Sequence, residues 1–71
     1  MQEDLPGVVK RMQIEIHELG DRLARAHIFL NTATFNFIPP AEQALFHEQV
    51  AHMEGYEKAL SERLALVMAR L

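Results

Sequence analysis

"FLNTATFNFIPP", residues 29–40, interrupts an otherwise helical chain, and its reading decides the fold. It has no glycine, ends in two prolines, and sets Phe29, Phe35, Phe37 and Ile38 among the small polar residues Asn31, Thr32, Thr34 and Asn36. A connection between two surface helices is ordinarily short and polar. One this apolar is expected to fold back over the end of a hairpin, where Phe35, Phe37 and Ile38 would plug it, or to pack into a neighbouring subunit.

On the N-terminal side, Leu5, Val9, Met12, Ile16, Leu19, Leu23, Ala26 and Leu30 recur at alternating spacings of four and three. That is an unbroken heptad seam, the mark of a packed helix. Asp4 is placed to cap it and Pro6 falls in the first turn, where a missing N–H costs little. Gly7 and Gly20 are weak points, each worth about 1 kcal/mol against alanine in a helix interior. Gly7 marks either a frayed start or a short separate N-terminal helix, and Gly20 a place where another helix approaches closely.

On the C-terminal side Pro40 suits the first helical position and Glu42 the first turn. Phe46, Val50, Met53, Leu60, Leu64, Val67 and Leu71 form a second seam, broken only at Glu57. Leu45, Tyr56, Ala59 and Leu66 add a further strip beside it, and two strips make a face too wide for one partner helix. The fold class is therefore all-α, an antiparallel helical hairpin within a single helical domain spanning residues 1–71. Its helices are expected at about 5–31 and 40–71, with an aromatic turn at 32–39. At about 1.5 Å per residue they measure roughly 40 and 48 Å. A lone hairpin has no layer to cover its outer strip, which implies assembly into a homo-oligomeric helical bundle.

Composition narrows the function. A chain of 71 residues is marginal alone and calls for a staple. Without cysteine, that staple is neither a disulfide nor a thiolate metal site. The stretch "MQEDLPG" is acidic, unlike a signal peptide, and no apolar run approaches the ~18 residues of a membrane span. The net charge of −3 argues against coating DNA.

Catalytic chemistry finds no foothold. "HEQVAH", residues 47–52, resembles a zinc-protease motif with one residue too many. At about 100° per residue His47 and His52 point about 140° apart and cannot share a metal on one helix. Glu15 with Glu18, and Glu54 with Glu57 and Glu62, read as solvated faces rather than acid–base pairs. There is no nucleophile elbow, phosphate-cradling glycine loop or dinucleotide fingerprint. An enzyme is not expected, and no metal or cofactor is implied.

The basic residues divide into two centres. In a hairpin turning near residue 35, Arg63 of the second helix lies by Val8, Lys10 and Arg11 at the open end. Arg22 and Arg25 lie by Phe46 and Gln49, nearer the turn. Arg11 and Arg22 are about 16 Å apart along the axis. Arginine's planar fork suits phosphates, and since a hairpin has no deep cleft, a pocket for one would form between subunits. Surface arginines also exist without ligands.

The set "EL" (Glu18, Leu19), "DRL" (Asp21 to Leu23) and "FLNTATF", then Glu42, Gln43, Leu45, Gln49, Met53, Tyr56, Leu60 and Arg63, resembles a family of small phage proteins related to a crAss-phage open reading frame. That family includes the anti-CBASS sponges. The likeness covers roughly residues 14–64. It implies a helical homohexamer in the cytoplasm of an infected bacterial host, binding cyclic oligonucleotides in pockets between protomers and leaving them uncut. One pocket type takes cyclic dinucleotides through a basic residue, aligned with Arg22, and an N-terminal aromatic, whose place here is held by Gly7 or Val8. The other takes cyclic trinucleotides through an arginine aligned with Arg63 and a threonine, whose place is held by Ala24. Arg25, Lys10 and Arg11 complete the candidate ligand-binding set. Two other classes stand beside this one: a coiled-coil module for a protein partner, and a nucleic-acid-binding helical dimer.

Overall fold

The computed structural model describes residues 4–71; residues 1–3, the beginning of the acidic N-terminal stretch, lie outside it. The described chain is an antiparallel hairpin of two long helices, α1 (Leu5–Leu30) and α3 (Pro40–Ala69), joined through one short helix, α2 (Ala33–Asn36). The molecule measures 52 × 18 × 16 Å, and its radius of gyration is 16.2 Å. A compact chain of this length would have about 11 Å. The hairpin is therefore a rod with a single seam and no interior volume to enclose a ligand.

Local chemistry sets the helix ends. The Asp4 carboxylate accepts the Gly7 N–H at 3.2 Å, an N-cap satisfying one orphan donor. A Cβ at residue 7 would collide with that carboxylate as it is placed, so a larger residue there would require the Asp4 side chain to shift. This corrects the expectation of a frayed start or separate N-terminal helix: α1 runs unbroken from Leu5 through Gly7. At the other end the Asn31 side-chain amide donates to the His27 carbonyl at 2.9 Å. Pro40 opens α3 with Glu42 in its first turn, as the sequence implied. The α3 entry has no side-chain cap of its own, but Gln43 donates back to the Ile38 carbonyl at 2.7 Å and closes the turn.

The two heptad seams meet as expected. Val9 and Met12 pack with Leu60 and Val67 at the open end, and Leu19 and Leu23 with Val50 toward the turn. The half-buried Glu57 stands between these clusters, where the heptad is broken. Gly20 of α1 faces it, and a Cβ there would sit 3.5 Å from the Glu57 carboxylate, an ordinary contact. Within the hairpin, then, Gly20 is not demanded by close helix approach. A polar group at a seam position specifies register at some cost in stability. The Tyr56 hydroxyl donates to the Glu15 carboxylate across the same middle section.

The aromatic turn becomes a plug, though not with every residue expected. Phe35 is 4% exposed and meets Phe29 edge-to-face at 5.7 Å and Phe46 at 5.7 Å. Phe29 and Phe46 meet in turn at 5.4 Å. Thr32 fixes the arrangement by donating to the Phe29 carbonyl at 2.7 Å and capping α2 at the Phe35 N–H. Phe37, expected to join the plug, is 87% exposed. It lies two residues beyond Phe35 on a helical turn, about 200° round, and so points away from the hairpin end.

The second strip of α3 is left bare: Leu45, Tyr56 and Leu66 are exposed. Gly55 lies beside it in mid-helix, and a Cβ there would touch nothing within 4 Å. In the hairpin Gly55→Ala should therefore stabilise by about 0.8–1 kcal/mol from helix propensity alone. Thermal unfolding followed by circular dichroism checks this. A lowered melting temperature would mean that another copy packs its backbone against Gly55.

Candidate functional site

The register of α1 against α3 forms two shallow grooves, each holding two arginines from the expected centres or beside them. Toward the turn, Arg22 and Arg25 of α1, three residues apart and hence on one face, border a groove of about 370 Å³. Its other wall is α3, with Phe46, Gln49 and Met53, and Phe29 completes the floor. At the open end, Val8 of α1 meets Arg63, Leu66, Val67 and Arg70 of α3 around a groove of about 490 Å³. All four arginines are exposed, and for Arg22, Arg25 and Arg63 a phosphate would meet the guanidinium at little desolvation cost.

The remaining candidates fall elsewhere. Lys10, Arg11 and Ala24 are exposed and line neither groove. Arg11 reaches toward Gly7, where the nearest guanidinium nitrogen is 3.5 Å from the position a Cβ would take. Gly7 is occupied with the N-cap of α1.

Val8 and Arg22 are fourteen positions apart on one helix, about 21 Å. Ala24 lies near the turn end of α1, while Arg63 sits by Val8 at the open end, roughly 24 Å away by the same measure. Neither pair can touch one small ligand within a single chain. A pocket using either pair draws its two sides from two copies.

Sequence reasoning missed several lining groups. Arg70 follows Arg63 by seven residues, two turns along one face, and that spacing was legible. The register sets Gln49 and Phe46 beside Arg22 and Arg25, but nothing in the spacing marks them as groove lining, and Phe29 reads there as part of the turn.

A third concavity, about 540 Å³, runs along α3 alone between Leu45, Gln49, Met53 and Tyr56, with Glu48 and His52 at its edge. It shares Leu45 and Tyr56 with the bare strip. The histidines are dispersed. His17 faces Asp21 at 3.6 Å, His27 faces Glu54 across the hairpin at 3.4 Å, and His52 faces Glu48 at 3.5 Å. His47 instead meets the Phe35 ring edge-on at 5.4 Å. Among the described residues no three His, Asp or Glu side chains are grouped as a metal would need. No described helix is long and apolar enough to cross a membrane.

No curated protein and no solved structure matches the chain. A family model described as Sequestin matches residues 6–66, which is most of the chain. The chain belongs to the Sequestin family, in agreement with its resemblance to the anti-CBASS sponges. Membership indicates a sequestering, non-catalytic protein that holds a small ligand.

Proposed function

We propose that this Sequestin-family chain is a phage-encoded sponge. It binds cyclic oligonucleotide second messengers, dinucleotides or trinucleotides, in the cytoplasm of an infected bacterium, and so silences CBASS antiviral signalling without cleaving the signal. The working form is a homo-oligomer, a hexamer by family resemblance, with its pockets between protomers.

The observation that carries this reading is the pair of arginine-lined grooves, both open on one side in the single chain. Guanidinium forks hold phosphates by charge-assisted, often bidentate hydrogen bonds. The partner residues that the family resemblance assigns to Arg22 and Arg63 lie too far away within one chain, and a second copy brings them into reach. The exposed strip of Leu45, Tyr56 and Leu66 provides an apolar surface on which such copies can assemble.

A sponge acts by stoichiometry, so affinity does the work that turnover does in an enzyme. Against a micromolar signal, a nanomolar dissociation constant suffices, about −12 kcal/mol. Stacking at ~1–3 kcal/mol per base, added to phosphate contacts, is of the right order.

Two measurements test the proposal together. Light scattering should give a multiple of the 8.1 kDa chain mass. Calorimetry against a panel of cyclic di- and trinucleotides should show tight binding, with the ligand recovered intact after the protein is denatured. A mass near that of one chain would remove the interprotomer pockets. Oligomers that bind none of the panel would favour a coiled-coil module, its apolar strips serving a protein partner.

A further inference from the structure

The groove near the turn is richer than a phosphate site. Besides Arg22 and Arg25 it holds two aromatic side chains, Phe29 and Phe46, and a primary amide, Gln49. Both rings are only partly buried; Phe29 meets the buried Phe35 edge-to-face, and Phe46 meets Phe29 edge-to-face and Phe35 at a tilt. These contacts restrain both rings, and because the two stand 75° apart one of them can offer its face to a flat group while the other borders it. Gln49 is exposed at the rim, one turn after Phe46 on α3, and in register with Arg22 across the groove.

Resting on the sponge reading, we propose that this groove is a base-reading half-site. Arg22 and Arg25 hold a phosphate, the adjoining nucleobase lies against one ring of the Phe29–Phe46 pair, and the Gln49 amide reads that base's edge. The aromatic contact that this chain lacks at Gly7 and Val8 is supplied from within the protomer.

The amide sets the preference. Its carbonyl accepts from an amino group while its NH₂ donates to a ring nitrogen, and adenine offers that pair side by side at N6 and N7. Guanine offers two acceptors, O6 and N7, along the same edge, leaving the amide carbonyl facing an acceptor. The half-site accordingly favours a cyclic dinucleotide carrying adenine over one carrying only guanine.

The test is calorimetry on the assembled protein with cyclic di-adenylate and cyclic di-guanylate. The parent should bind the adenine ligand about tenfold more tightly, the scale of one good amide–base pair. Gln49→Ala should bring the two affinities together, and its melting temperature and elution volume should match the parent's, because Gln49 is exposed. Arg22→Ala should weaken both ligands alike. If the parent binds both equally, or Gln49→Ala keeps the preference, the base-reading role is overturned while the sponge reading stands. If the parent binds neither dinucleotide but binds cyclic trinucleotides, this half-site is overturned and the Arg63 groove carries the function. If the parent binds no cyclic nucleotide at all, both fall together.

Discussion

Phe35→Ala should destabilise the protein by about 3–5 kcal/mol, the cost of emptying a well-packed aromatic site. Phe35 is 4% exposed and touches Phe29, Phe46 and His47, so its loss leaves a void that three rings on two long helices would have to close. For a chain of this size each kcal/mol moves the melting temperature by about 4–8 °C, so a fall of at least ~12 °C is expected. Much of a small domain's total stability is of that order. Phe37→Ala is the control. Its ring is 87% exposed, and the hairpin should tolerate the change within about 0.5 kcal/mol. The same melting curves decide both. An unchanged midpoint for Phe35→Ala would show that the turn does not hold the helix ends together.

Arg63→Glu should abolish cyclic trinucleotide binding while leaving the oligomer and any dinucleotide binding in place. The change replaces an attraction for phosphate with a repulsion in the groove shared by Val8, Leu66 and Arg70. Arg63 is exposed, and a surface charge contributes little to assembly. The complementary variant, Arg22→Glu, should weaken dinucleotide binding and spare trinucleotides. Within one chain the groove containing Arg63 and Val8 lies about 21 Å from Arg22 along the hairpin, well beyond the ~8 Å Debye length at physiological salt. The double variant tests whether the two sites stay additive once copies assemble. Calorimetry on both variants and on their combination, with size exclusion to monitor assembly, measures this. If both variants bind every cyclic ligand like the parent, neither groove is a binding site.

The heptad seams were legible because helix packing is local arithmetic. Spacings of three and four put Val9, Met12, Leu19 and Leu23 on one stripe of α1, and Val50, Leu60 and Val67 on one stripe of α3. Hydrophobicity then requires the two stripes to meet. The caps were legible for the same reason: Asp4 and Pro40 act within a turn of their own positions. Even the hairpin register could be read, because the turn is short and fixes which residues lie opposite one another. Arg22 beside Gln49 and Arg63 beside Val8 follow from it.

The turn itself marks where local reasoning ended. Composition distinguished it as apolar, yet Phe35 and Phe37 are equivalent as letters. Only a four-residue helix, started by the Thr32 cap, sends one ring inward and the other to solvent. The places of Phe29 and Phe46 in the groove by Arg22 were hidden in the same way. A groove is made by two surfaces at a particular separation, and neither helix alone encodes that separation. The sequence by itself thus determined an all-α hairpin, its seams and its two basic centres, because each depends on spacing along one chain. The tertiary structure alone decided which of Phe35 and Phe37 is buried and that Phe29 and Phe46 close a groove beside Arg22 and Arg25, because these are distances through space.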